Sequence, residues 1–167
     1  NTTPPAFIYT SNGGTSWQKS NTGAAGNFTS GVAFSDDKMR GLVSSSTSLP
    51  TIARTTDGGV SFTNVTGVAG LTGYSTIKWI EGTNTVYASS NIGASGVVQK
   101  STNGGLNWTV MSTSSLTGIT HMEFRRVGTT VYGFAVTANG AVLKLVETIT
   151  GVHNTSSCLL YTSPSPR

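Results

Sequence analysis

Thr55-Thr-Asp-Gly-Gly-Val-Ser-Phe62 decides the fold, because the chain carries this stretch three times. The other copies are Thr10-Ser-Asn-Gly-Gly-Thr-Ser-Trp17 and Ser101-Thr-Asn-Gly-Gly-Leu-Asn-Trp108. Their closing aromatics, Trp17, Phe62 and Trp108, stand 45 and 46 residues apart. A fixed period of this length marks an array of like units. The period extends beyond the motif. Val32, Ile77 and Met122 are spaced by 45, as are Phe34, Trp79 and Phe124, and Leu42, Tyr87 and Tyr132. Three apolar columns in register do not arise by chance.

Each motif reads locally as a turn. Asn12, Asp57 and Asn103 have short side chains that accept hydrogen bonds from turn amides, and the glycine pairs tolerate positive φ. The aromatic that follows is expected to plug the turn onto its sheet. Between motifs the pattern has period 2, with strand-length runs separated by turn signals. A first strand runs through Val32 and Phe34, Ile77 and Trp79, or Met122 and Phe124. It meets a turn at Asp36-Asp37-Lys38, Glu81-Gly82-Thr83-Asn84 or Arg126-Val127-Gly128. A second strand is predicted at about 39–44, 85–89 and 130–136, a third ends at Thr55, Lys100 or Lys144, and a fourth begins at the motif aromatic. One four-stranded antiparallel unit leaves an apolar face uncovered, so the units are predicted to pack face to face.

Composition agrees. The 167 residues include 22 Ser, 28 Thr and 21 Gly, and only 10% are charged. Such a chain is poor in helix formers, which argues against an all-α fold. A hydrophobic share of 36% argues against disorder, and no apolar run approaches the roughly 20 residues of a membrane-spanning helix. Ten basic and six acidic residues give a net charge of +4. The basic residues are scattered singly, without the stripe that nucleic-acid binding favours.

The pattern Ser/Thr-x-Asp/Asn-x-Gly-x-Ser/Thr-Trp/Phe resembles the Asp-box, or BNR repeat, of sialidase-like β-propellers. Thr10, Asn12, Gly14, Ser16 and Trp17 fit it throughout, as do Thr55, Asp57, Gly59, Ser61 and Phe62. Ser101, Asn103, Gly105 and Trp108 also fit, while Asn107 stands where Ser or Thr is usual. The resemblance implies an all-β chain, a partial β-propeller of four-stranded antiparallel blades covering about three and a half blades. The box then joins the third and fourth strands on the rim, away from the ligand pocket, so its residues are structural and Asp57 is no acid catalyst. The repeat units fall at about 1–17, 18–62, 63–108 and 109–150. In style the chain is similar to photosystem II assembly-factor-like propellers and to bacterial propellers exported by the type IX system. Thr150-Gly-Val-His-Asn-Thr-Ser-Ser157 resembles the linker before a sorting domain in the latter.

The last ten residues, Cys158 to Arg167, match the conceptual translation of a transposase sequencing adapter, and 158–167 is expected to be an artefactual, disordered tail. Cys158 is the only cysteine. Without it no disulfide, thiol nucleophile or Cys-ligated metal site is expected. Three and a half blades do not close a ring of four to eight, so further blades of the same chain are expected upstream of Asn1.

Catalytic signals are sparse. The Phe/Tyr-Arg-Ile-Pro motif of sialidases does not occur, and Arg40, Arg54, Arg125 and Arg126 are not grouped. Arg125-Arg126 is expected on a solvated rim. Asp36 and Asp37 suggest paired carboxylates for glycoside hydrolysis, but adjacent strand residues point to opposite faces, and a hairpin turn is the better reading. His121 and Glu123 are predicted to face one side of a first strand, opposite Met122. They are the weak candidates for a pocket in the central channel, against the plainer reading of a satisfied polar pair. No catalytic, cofactor-binding or metal-binding residue is assigned and no cofactor is expected. The expected function is a non-catalytic binding or structural module of a secreted or cell-surface bacterial propeller, with a protein or carbohydrate ligand. One alternative is part of a glycoside hydrolase whose catalytic residues lie in missing blades. Another is an assembly-factor-like propeller docking on a membrane complex.

Overall fold

A computed structural model describes residues 6–21, 29–45, 52–65, 74–92, 95–111 and 118–149. These form thirteen strands and no helix: β1 (Ala6–Tyr9), β2 (Gln18–Asn21), β3 (Thr29–Phe34), β4 (Gly41–Ser45), β5 (Ile52–Thr55), β6 (Thr63–Asn64), β7 (Tyr74–Trp79), β8 (Val86–Ile92), β9 (Ser95–Ser101), β10 (Thr109–Val110), β11 (Ile119–Val127), β12 (Thr130–Thr137) and β13 (Val142–Thr148). Every pairing is antiparallel between sequence neighbours. The sheets are β1-β2, β3-β4-β5-β6, β7-β8-β9-β10 and β11-β12-β13. The fourth strands begin just after the motif aromatics rather than on them. The repeat units read at 18–62, 63–108 and 109–150 therefore open in the last strand of one sheet and close after the third strand of the next. The linker 151–157 and the tail 158–167 lie outside the described residues.

The repeat is visible in detail. The first strand of each of the three larger sheets carries a register shift near its start, at Thr29/Gly31, Tyr74/Thr76 and Ile119/His121. The first hairpin closes through Ser35 N–H to Arg40 C=O at 2.9 Å in the second sheet and Ile80 N–H to Thr85 C=O at 2.9 Å in the third. Asp36 and Asp37 lie in the first of these turns.

Successive sheets pack face to face. Leu42, Ile52, Ile77 and Val86 are buried between the second and third, with Trp79 and Trp108 packed against them. Tyr87, Ile119, Met122 and Val131 are buried between the third and fourth. The apolar columns explain the direction of the row. Leu42 and Tyr87 face the following sheet and are 0% exposed, whereas Tyr132 is 38% exposed because no following sheet covers it among the described residues. Ile77 and Met122 face the preceding sheet and are buried. Val32 is exposed, because the first unit offers only the β1-β2 hairpin on that side.

The same rule corrects the expectation for Trp17. Phe62 packs edge-on against Phe7 of the first sheet, and Trp108 against the cluster between the second and third sheets. The motif aromatic is thus covered by the sheet before its own. Trp17 has none among the described residues and is 63% exposed, so it does not plug its turn. We expect Trp108→Ala to cost about 3 kcal/mol and Trp17→Ala less than about 0.5 kcal/mol, measured from urea unfolding midpoints. Equal costs would refute this account of the two residues.

Candidate functional site

One network recurs in all three glycine-pair turns. The opening hydroxyl donates to the Asx side chain, from Thr10 to Asn12 at 2.9 Å, Thr55 to Asp57 at 2.7 Å and Ser101 to Asn103 at 3.0 Å. That hydroxyl accepts from the second glycine amide, at Gly14, Gly59 and Gly105. The Asx oxygen then accepts the amides of Ser16, Ser61 and Asn107, each at 2.9 Å. Asn107 contributes its backbone amide, which is why its departure from Ser or Thr leaves the turn intact. The first glycine amide ties the turn to the first hairpin of its own sheet, Gly58 to Met39 C=O and Gly104 to Asn84 C=O. Both kinds of turn therefore crowd one end of the sheet row.

Hydrogen bonds from the Ser61 hydroxyl and amide, and from the Thr55 hydroxyl, hold the Asp57 carboxyl well below the usual carboxylate range. A group whose folded pKa is depressed stabilises above its unfolded value, near 3.8, and that contribution disappears as pH falls through the folded value. Asn12 and Asn103 do the same work without a charge. Asp57→Asn is therefore expected to fold and to lose less stability than wild type between about pH 7 and about pH 3. Urea midpoints at both ends measure this, and parallel acid limbs would count against it.

At the same end lies a cleft of about 540 Å³ lined by Asp36, Arg40, Asn84, Lys100, Thr102 and Glu147. Asp36 accepts the Gly82 amide of the next sheet, and Arg40 reaches Asn84 Oδ1 at 2.6 Å while lying 5.7 Å over the Trp79 ring. At Asp37, burial opposes ionisation. Hydrogen bonds from the Ser35 hydroxyl, the Arg40 and Met39 amides and the Arg40 guanidinium outweigh it and hold the carboxyl low. Deeper in, Glu147 accepts both the Tyr87 hydroxyl and the Lys100 ammonium. Burial pushes the Tyr87 phenol up to about 12 and the Lys100 amine down. The two cations of the cleft are thus already matched by carboxylates.

The channel candidates meet differently. Glu123 Oε2 pairs with Lys78 Nζ at 2.7 Å, and His121 Nε2 lies 3.9 Å from the same oxygen. The Lys78 hydrogen bond leads in drawing the Glu123 pKa down. His121 and Glu123 are exposed on one side of β11 while Met122 is buried on the other. Lys78 is the member the sequence reading missed, although it stands 45 residues before Glu123 in the same column. Lys100 and Glu147 were also missed. Arg126, half-buried beside the exposed Arg125, links two hairpin turns: its Nη1 reaches Glu81 C=O at 2.9 Å and its Nε reaches Gly128 C=O at 2.7 Å. Among the described residues no three His, Cys, Asp or Glu side chains are grouped to hold a metal ion, and no helix is long and apolar enough to cross a membrane.

No protein-family model and no curated protein sequence matches the chain. Solved structures do. The structure described as YCF48 bound to D1 peptide superposes with a TM-score of 0.56 at 18% identity, over 80% of this chain and 42% of that one. The phage phi92 endosialidase superposes with a TM-score of 0.50 at 18% identity, over 72% of this chain and 22% of that one. The matches thus span less than half the length of either neighbour. Four face-packed antiparallel sheets and these neighbours together show an all-β, β-propeller fold whose sheets are not closed into a ring.

Proposed function

We propose that the chain is a non-catalytic binding module of a secreted or cell-surface Asp-box propeller, and that it holds an extended peptide segment of a partner protein in the cleft between its hairpin turns. The pairing of charges in the cleft, Asp37 with Arg40 and Glu147 with Lys100, carries this reading. A glycosidase general acid needs a carboxyl with a raised pKa, whereas hydrogen bonds hold Asp37, Asp57 and Glu123 low. What the cleft presents instead is a bed of paired charges and polar groups, suited to a peptide backbone. The peptide bound to the neighbour YCF48 supports the same class of ligand. Secretion is supported by the likeness of 150–157 to a sorting-domain linker. Further blades in the parent protein are supported by the small share of each neighbour that is matched.

A phage-displayed peptide library tests the reading. Thr102 is exposed in the cleft, so Thr102→Arg blocks the site without disturbing packing. Peptides enriched on the wild-type chain are expected to lose binding to Thr102→Arg. Enrichment that ignores this substitution, or hydrolysis of a fluorogenic sialoside or of xyloglucan by the chain, would overturn it.

A further inference from the structure

Asparagine is followed by glycine at three places, Asn12-Gly13, Asn103-Gly104 and Asn139-Gly140. Such a pair is chemically unstable wherever the chain can move. Glycine has no Cβ to shield its amide and reaches backbone conformations closed to other residues, so its nitrogen can close on the carbonyl carbon of the side chain before it. All three asparagines are exposed, so access to water does not rank them. Their hydrogen bonds do.

Two of the pairs sit in glycine-pair turns and are clamped. Asn12 Oδ1 accepts the Thr10 hydroxyl and the Ser16 amide, while its Nδ2 donates to Ser16 Oγ at 2.8 Å. Asn103 Oδ1 accepts the Ser101 hydroxyl and the amides of Leu106 and Asn107. Each carboxamide is thereby held toward groups further along the turn, and away from the amide directly after it.

The turn between β12 and β13, Thr137-Ala-Asn-Gly-Ala141, is half of such a clamp. The Thr137 hydroxyl donates to Asn139 Oδ1 and accepts the Ala141 amide at 3.0 Å, as Thr55 does with Asp57 and Gly59. The second half is missing. Four residues after Asn139 the chain is already in β13, where Leu143 pairs with Ala135, so no amide from ahead grips the side chain. The Thr137 hydroxyl is its one hydrogen-bond partner among the described residues. Gly140 holds φ at +82°, and no described atom lies within 4 Å of the place a Cβ would take, so no neighbour crowds its nitrogen.

We infer that Asn139 is a site of spontaneous deamidation in the folded protein, and that Asn12 and Asn103 are protected. The Gly140 nitrogen bonds to Asn139 Cγ, the Cγ–Nδ2 bond breaks, and ammonia leaves carrying the proton of the Gly140 amide. Water then opens the resulting cyclic imide at either carbonyl. One opening gives aspartate and the other isoaspartate, in which the main chain runs through the former side chain. Both add a negative charge to the turn. β13 runs from this turn to Thr148 at the cleft, so the modified end of the strand lies away from the peptide site and the inference does not rest on that reading.

Peptide mapping of the full chain, aged in mildly alkaline buffer, reads the outcome by mass. Trypsin releases Val127–Lys144, in which Asn139 is the only asparagine or glutamine, so an amide-to-acid change there has one source. Conversion at Asn139 is expected to run at least about tenfold faster than at Asn12 or Asn103, a difference of about 1.4 kcal/mol in barrier. In urea the clamps are gone and the three rates are expected to converge. Gly140→Ala places a Cβ beside the attacking nitrogen and is expected to slow Asn139 while leaving the other two unchanged. Should that variant fail to fold, the wild-type comparison stands without it. A folded wild-type chain in which the three sites convert alike, or in which Asn103 leads, would overturn the inference. A folded Gly140→Ala chain that converts Asn139 at the wild-type rate would also overturn it, because the Gly140 nitrogen would then not be the attacking group.

Discussion

Tyr87→Ala is expected to lower the unfolding free energy by about 3–5 kcal/mol, while Tyr132→Ala, 45 residues later in the same column, costs less than about 1 kcal/mol. The residue type and the strand position are the same, so only the neighbouring sheet differs. Tyr87 is fully buried, its ring stacks on Phe124 with an interplanar angle of 13°, and its hydroxyl donates to Glu147. Truncation removes the ring from the stack, opens a cavity between two sheets and strips one donor from a half-buried carboxylate. Tyr132 faces solvent among the described residues and gives up little of this. Tyr87→Phe separates the contributions. It keeps the stack and loses only the hydroxyl, at a cost of about 0.5–1.5 kcal/mol. Guanidinium unfolding of the chain provides the comparison. Equal losses at Tyr87 and Tyr132 would show that the column does not report burial by a following sheet.

The repeat made the fold legible. Fixed spacing of apolar columns located the first two strands of each unit, and the glycine pairs located the third turn; the third strand of the last unit runs on to Thr148, past Lys144 where the sequence placed its end. What the columns did not carry was which of their members find a partner. Val32, Ile77 and Met122 look alike in sequence, yet only Ile77 and Met122 meet a complete sheet. Trp17 shows the same limit: its turn repeats the hydroxyl, Asx and glycine-amide hydrogen bonds of the other two, while its ring meets no preceding sheet among the described residues. Hydrogen bonds inside an eight-residue turn are local and follow from the residues present. Burial of the aromatic depends on a sheet more than 40 residues away in the other repeats.

The site was less legible for the same reason. His121 and Glu123 announced themselves as polar residues on a predicted first strand, but Lys78 looked ordinary until the 45-residue period placed it beside Glu123. Glu147 occupies the third-strand place of Thr55 and Ser101, following Ser101 by 46 residues, in a unit that carries no glycine pair after it. Freed from opening a turn, its carboxylate reaches back to Lys100 and Tyr87. The departure of Glu147 from Ser or Thr was therefore a readable signal. The cleft itself was not, because its walls come from the hairpin turns of two sheets and the end of a third.

Gly105→Ala is the second substitution expected to act strongly, and a partner substitution diagnoses its cause. Gly105 holds φ at +84°, and an added Cβ would lie 2.6 and 2.7 Å from the two Leu42 methyls. The left-handed backbone costs an alanine about 1–2 kcal/mol and the overlap about 1–3 kcal/mol more, so the variant should lose about 2–5 kcal/mol. Gly14 has nearly the same backbone, with φ at +92°, but only the Trp17 ring of its own turn comes near, at 3.9 Å. Gly14→Ala should therefore cost only the backbone contribution, about 1–2 kcal/mol. Leu42→Ala by itself leaves a cavity worth about 2–5 kcal/mol. Combined with Gly105→Ala it removes the atoms that collide, so the double variant should be more stable than the sum of the singles implies by about 1–3 kcal/mol. Urea midpoints for the four chains of this cycle measure the coupling. Losses that simply add would mean that Gly105 is required for its backbone alone, and that close approach of the turn to the preceding sheet plays no part in fixing how the sheets stack.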